Sequence, residues 1–214
     1  SLLPTTENFC IKSIHAYLLS RGHDSSIIFL PRHTGHAASA LNDFIAAHRP
    51  DAVGCGYMSY EAPFAQFLGT SLKKQFPGLP FIVGGIHPTI NPEECLAYAD
   101  YVCIGESEET MAECAETIDA GNNLHHIQNL AFVDSGKITK NPLRPFMENL
   151  DELPFPGHWP ERSYIYHNKV ISPVNLRLFK KYTRYDGKAF NIISSRGCPF
   201  SCAYCCNSFL TRLY

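Results

Sequence analysis

The sequence predicts an α/β protein built on a doubly wound, Rossmann-like parallel sheet. Two observations carry the fold. Short stretches around Ser26–Leu30, Ala52–Gly56, Phe81–Val83 and Tyr101–Ile104 are apolar almost throughout, as strands buried on both faces must be. Helical patterns separate them, and strands alternating with helices give a parallel sheet covered on both sides. A third observation bears on ligands: three of these strands run into glycine, at Gly56, Gly84-Gly85 and Gly105. Ligands of such sheets bind beyond the carboxyl ends of the strands.

The elements follow in order. Residues 8–21 form an amphipathic helix with Ile11, Ile14 and Leu18 on one face and Gly22 at its C-cap. After the first strand, Pro31 to His36 is a loop; Arg32-His33-Thr34-Gly35-His36 reads as a solvated turn. A second helix places Ala37, Leu41, Phe44, Ile45 and His48 inward and stops at Pro50. A third runs from about Ala62 to Gln75, on Phe64, Leu68 and Leu72, and ends at Pro77-Gly78. Asn91-Pro92-Glu93-Glu94 has the makings of a helix start: a capping side chain, proline at the first position and acid in the first turn. The last helix of the series uses Met111, Cys114, Ala115 and Ile118 and ends at Gly121. Leu130–Val133 and Lys137–Thr139 flank Asp134-Ser135-Gly136 as a hairpin. Residues 141–160 are proline-rich and read as an ordered linker, 164–185 carry no clear pattern, and Phe190–Ser195 is a strand that leads into a cysteine-rich loop.

Composition narrows the function. A net charge of −2 over 214 residues gives no footprint for nucleic acid. No apolar run reaches the length of a membrane span. Of nine cysteines, four crowd into positions 198–206, and Cys10, Cys55, Cys95, Cys103 and Cys114 are scattered as structural thiols. That usage points to a reducing, cytoplasmic setting rather than a disulfide framework. Ser1-Leu2-Leu3-Pro4 is neither a signal peptide nor an initiator methionine, and the first element is a helix. A leading strand is therefore expected ahead of Ser1, in a chain trimmed at both ends.

The strongest motif is Cys198-Pro199-Phe200-Ser201-Cys202-Ala203-Tyr204-Cys205. Three thiolates at CxxxCxxC spacing can wrap one small inorganic cluster, and three ligands instead of four leave a position open. Zinc is the alternative occupant, but it usually takes paired knuckles and four closed ligands, and no second half-site is present. Cys206, adjacent to Cys205, reads as a non-ligand. His87 follows the glycine pair and reads either as a brace for its own turn, with Pro88 and Thr89, or as a ligand. Glu106 and Glu108 read as helix-start carboxylates, with an acid pair as the alternative.

Arg196-Gly197-Cys198 through Cys205 resembles the cluster loop of radical S-adenosylmethionine enzymes, specifically the class with an N-terminal cobalamin-binding domain. Gly84-Gly85-Ile86-His87-Pro88-Thr89, Asp100 to Glu108 and Leu150-Asp151-Glu152-Leu153-Pro154-Phe155-Pro156 support the resemblance in order and spacing. It implies a 4Fe–4S cluster on Cys198, Cys202 and Cys205 that cleaves S-adenosylmethionine reductively, with the Tyr204 backbone near the adenine. It implies cobalamin along Gly56, Tyr57, Met58, Gly84, Gly85, His87, Gly105 and Glu106. It further implies a small-molecule substrate, methyl transfer or another radical modification, and an electron donor such as flavodoxin or ferredoxin. The D-x-H-x-x-G loop of methionine-synthase-type domains is absent, and Gly56-Tyr57-Met58 departs from the family's S-x-L. The implied organisation is a cobalamin-binding domain over 1–140, a linker over 141–188, and from 189 to 214 the first strand of a truncated radical (β/α) barrel. An N-terminal fragment of that kind would be inactive alone. A non-catalytic corrinoid-binding or sensory module, or a zinc protein, is the competing reading.

Overall fold

Among the described residues, eight strands fall into two hydrogen-bonded sets rather than one sheet. The computed structural model describes residues 1–3, 5–31, 33–157, 161–183, 188–189, 192–193 and 195–214. The larger set holds β2 (Val53–Gly56), β3 (Phe81–Gly84), β4 (Tyr101–Cys103), β5 (Leu130–Asp134) and β6 (Lys137–Lys140), in that order. β2, β3 and β4 are parallel, and β5 and β6 add an antiparallel hairpin at the edge. The smaller set joins β1 (Ile27–Phe29) in parallel to β7 (Ser163–His167), which turns back into β8 (Val170–Pro173).

The sheet is covered on both faces, and alternation along the strands does the sorting. Phe81 and Val83 of β3 and Val102 of β4 join one core, with Leu41 and Ile45 of α2 (Gly35–His48) and Leu68 and Leu72 of α3 (Ala62–Gln75). Ile82, Cys103, Leu130 and Phe132 face the opposite core with Cys114 of α6 (Glu108–Asp119). The doubly wound arrangement thus holds around β2–β4, where each crossover carries a helix. α1 (Phe9–Ser20), capped by the Asn8 side chain at the Ile11 amide, lies against α6, where Ser13 donates to the buried Glu108.

The sequence places β1 in one sheet with the other three parallel strands, and the structure does not. Ser1 takes the edge of β1 opposite β7: its amino group donates to the Ile28 carbonyl at 2.8 Å, and its carbonyl accepts from the Leu30 amide at 2.9 Å. Those two bonds are one rung of a parallel ladder beside Phe29. Leu2, 1% exposed, then packs in the same core as Cys55 and Tyr57. β1 and β2 are held together through this packing, not by direct bonding.

Other differences are local. α4 (Ile86–Ile90) precedes α5 (Pro92–Cys95) and has no clear sequence signal, and Asn91 makes no side-chain cap bond between them. Within the stretch expected as linker, β7, β8 and α7 (Leu176–Tyr182) form a packed unit; Ile165, Val174 and Leu178 bury against Ile27 and Phe29. The strand expected over 190–195 includes Phe190, Asn191 and Ser194, which lie outside the described residues; Ile192, Ile193 and Ser195 carry no strand. α8 (Asn207–Leu213) closes the chain.

One contact tests the packing of α3. A Cβ at Gly69 would lie 2.5 Å from the Tyr98 carbonyl oxygen and 2.9 Å from the Phe81 ring. Backbone on the Tyr98 side leaves little room to yield. Gly69→Ala should therefore destabilise the fold by about 1–3 kcal/mol despite a helix-propensity gain of up to ~1 kcal/mol. A urea midpoint that falls at unchanged slope is the expected result.

Candidate functional site

The carboxyl ends of β2, β3 and β4 present backbone where most sheets present side chains. Gly56 and Gly84 are direct register partners, and Gly105 follows β4. A Cβ at Gly84 would meet Cys103 and the Ser107 hydroxyl only at ordinary contact distance, so packing alone does not require glycine there. At Gly56 a Cβ would press on Ile11 Cδ1 at 3.1 Å. Gly85 is glycine for a local reason: its φ is 95°, and a Cβ would lie 2.9 Å from the Tyr57 carbonyl. Gly105, at φ 81°, is covered by the Tyr214 phenol, whose hydroxyl also accepts from the Glu106 amide at 3.0 Å. The Tyr214 ring stacks on Phe146 with centroids 3.7 Å apart.

The side chains expected along this edge divide. Met58 is 42% exposed beside it. Tyr57 turns into the core instead, its hydroxyl 2.6 Å from the Tyr98 hydroxyl and 3.1 Å from Cys95 Sγ. Burial first, with those bonds, pushes its phenol pKa well above the ordinary value. His87 is buried, its Nδ1 3.2 Å from the Ser59 hydroxyl and its ring tilted against Tyr57. Its Nε2 has no hydrogen-bond partner; the Glu94 carboxylate lies 3.8 Å away. The ring thus joins its own turn to the turn after β2 that carries Ser59.

Glu106 is the busiest residue of the edge. Its Oε2 accepts from the Met147 amide at 3.0 Å, its carbonyl from Asn129 Nδ2 at 3.0 Å, and its Oε1 from Arg196 Nη1 at 3.0 Å. Glu108 takes the other side of the same guanidinium through both carboxylate oxygens, and Oε1 also accepts from Ser13 at 2.7 Å. Burial alone would push the Glu108 carboxyl up. The bonds from Arg196 and Ser13 outweigh it and hold that carboxyl below the usual carboxylate range. Glu108 does lie in the first turn of α6, so the helix-start and acid-pair readings meet in one residue.

Arg196 directly precedes the cysteine loop, so this clamp brings the loop to the glycine edge. Cys198, Cys202, Cys205 and Cys206 are all half-buried free thiols. The Cys205 amide donates to the Cys202 carbonyl at 3.1 Å, and Cys206 caps the amino end of α8. Tyr204 is 92% exposed. Thiols of this kind and spacing fit a site with three protein ligands. Among the described residues, no group of three metal-ligating side chains converges as the loop stands. For a corrinoid, the fit rests on the adjoining Gly56 and Gly84 backbone, against which a flat group can lie.

The thiols and the glycines each stand out in the sequence, but their junction does not. Arg196 carried no signal of its partners. Asn129 was missed as well: buried at φ 66°, it donates to the Glu106 carbonyl and accepts from the Arg144 amide at 2.6 Å, which pins the start of the linker.

Comparison with known proteins agrees with this geometry. The B12-binding domain family matches residues 2–115, and the chain belongs to that family. The class resemblance, to cobalamin-binding-domain proteins with a radical S-adenosylmethionine part, holds as well. An uncharacterized methyltransferase of Pyrococcus horikoshii is 32% identical over 79% of this chain and 34% of its own length. An anaerobic magnesium-protoporphyrin IX monomethyl ester cyclase of Synechocystis is 28% identical over 90% of this chain and 36% of its own. The chain thus spans about a third of the curated relatives it matches. Among solved structures, the radical S-adenosylmethionine methyltransferase TsrM of Kitasatospora setae superposes with a TM-score of 0.59 at 17% identity, over 66% of this chain and 28% of that one, a likeness of fold. No helix among the described residues is long and apolar enough to cross a membrane.

Asn129 supplies a test of the edge. Asn129→Asp removes the donor to the Glu106 carbonyl and sets a carboxylate against it. A loss of about 1–3 kcal/mol is expected, read as a lower thermal midpoint.

Proposed function

We propose that this chain supplies the corrinoid-binding and cluster-binding parts of a radical S-adenosylmethionine enzyme acting on a small molecule, by methyl transfer or another radical modification. The observation that carries the reading is the Arg196 clamp, which sets the cysteine loop beside the glycine edge of a B12-binding fold. Relatives described as methyltransferases and cyclases support it. Cofactors of these two kinds would supply one electron to break the sulfonium bond of S-adenosylmethionine and, through the corrinoid, a carrier for a methyl group.

The chain's own residues do the holding. Cys198, Cys202 and Cys205 offer three thiolates and leave one corner of a four-iron cluster without a protein ligand. Within the loop the Tyr204 side chain is exposed, and its backbone would lie near the adenine. Gly56, Gly84 and Gly105 keep side chains off the face where a corrinoid tail would rest, next to Met58. Ile11 and Tyr214 rest on that face and would have to yield. Electrons would come from a flavodoxin- or ferredoxin-type donor, in a reducing setting such as the cytoplasm. All nine cysteines being free accords with that setting.

The test is anaerobic reconstitution of the intact gene product with iron, sulfide and hydroxocobalamin. A brown protein that binds both groups is expected, with Cys202→Ala losing the cluster and keeping the corrinoid. A colourless protein holding one zinc would overturn the reading. Corrinoid binding with no cluster under any anaerobic condition would replace it with the sensory-module reading.

A further inference from the structure

We infer that Glu106 and Glu108 are positioning residues: through Arg196 they fix the distance and orientation of the cysteine loop relative to the glycine edge. The inference rests on the function proposed above and adds to it the device that sets the two cofactor sites against each other.

The geometry is specific. Arg196 Nη1 lies 3.0 Å from Glu106 Oε1 and 3.3 Å from Glu108 Oε2, while Nη2 bonds Glu108 Oε1. One planar guanidinium thus spans two carboxylates, a fork that lysine, as a point charge, cannot reproduce. The Arg196 side chain is 34% exposed and that of Glu108 only 6%, so one end of the clamp is largely shielded from solvent.

The two ends are anchored differently. Ser13 of α1 donates to Glu108, and Glu106 is held by the Met147 amide and the Asn129 side chain. Helix α1, helix α6, the linker and the loop therefore meet at one cation. Arg196 is two residues from Cys198, with only Gly197, at φ 84°, between them. The clamp is thus anchored within two residues of the first thiol. Like charges at Glu106 and Glu108 make the arrangement selective: without Arg196 the two carboxylates repel, and Glu108 stays buried with Ser13 as its remaining bonded partner.

Thiol labelling and a double-mutant cycle test this in the intact gene product. Without cofactors, Cys198 alkylation by iodoacetamide is followed by peptide mass spectrometry, with an added cysteine-containing peptide as reference. Glu108→Gln and Arg196→Gln should each raise the Cys198 rate about fivefold, and the double variant should raise it no further, because one interaction is being removed. Cys55 and Cys103, both buried, should stay unlabelled in every variant, which separates loss of the clamp from loss of the fold. With cluster and cob(II)alamin bound, magnetic broadening of the reduced-cluster signal should be weakened by Glu108→Gln or Glu106→Gln. Arg196→Lys should restore it only in part. Unchanged Cys198 rates, additive effects in the cycle, or identical broadening in all variants would overturn the inference. Because labelling needs no cofactor, failure to reconstitute a cluster counts against the proposed function and leaves the labelling result to be judged separately.

Discussion

A carboxylate buried at the mouth of a sheet needs a cation, and here the cation belongs to a segment 88 residues downstream. Glu108 is placed by β4, by the turn at Gly105 and by the first turn of α6. None of these can move without moving the carboxyl. Removing two charges from water costs free energy that is recovered only if the geometry is good and the remaining lone pairs are used. Both oxygens of Glu108 are used, one of them twice. The linker and the loop are therefore bound to the edge by an interaction that tolerates little displacement.

Short side chains also hold the turn that follows β4. Thr89 accepts from the Gly105 amide at 3.1 Å, and the Ser107 hydroxyl takes the Cys103 thiol and the Gly105 carbonyl. The turn after β4 is thus satisfied by short side chains, and the turn after β2 by Glu61, which accepts from the Met58 amide. What is left facing outward at Gly56 and Gly84 is peptide backbone. Ile11 and Tyr214 cover part of it, and the Tyr214 ring is held by Phe146 from the linker rather than by the sheet itself.

Most of the fold was legible because its signals are local. Continuous apolar stretches gave β2, β3 and β4 their places, and the hairpin announced itself by Asp134-Ser135-Gly136. β1 was legible as a strand but not its neighbours, since pairing with β7 depends on residues more than 130 positions away. β7 and β8 were hidden for a different reason: Ser163–His167 is aromatic and mixed, buried by contact with Ile27 and Phe29 rather than by its own pattern. In the site, the thiols and glycines were readable by spacing, whereas the Arg196 clamp was not. An arginine before a cysteine loop and two glutamates after a strand are each ordinary, and only the fold makes them one object. His87 was readable in both its meanings; the fold adds its contacts with Ser59 and Tyr57, which no local pattern announces.

Nine thiols in one chain raise a problem of selectivity, and burial answers it. Thiolate, not thiol, is the nucleophile and the metal ligand. Desolvation pushes Cys55 and Cys103 up to about 11, and also raises Cys95 and Cys114. Those four are also buried, out of reach of iron in solution. Cys103 and Cys114 lie in the core beneath α6, directly under the edge where the loop is clamped. The four loop cysteines keep access to solvent, and Cys206 is set apart by its position at the start of α8. The division between silent and available sulfur thus follows burial: the four core thiols are silent, while the loop thiols and Cys10, exposed on α1, keep access to solvent.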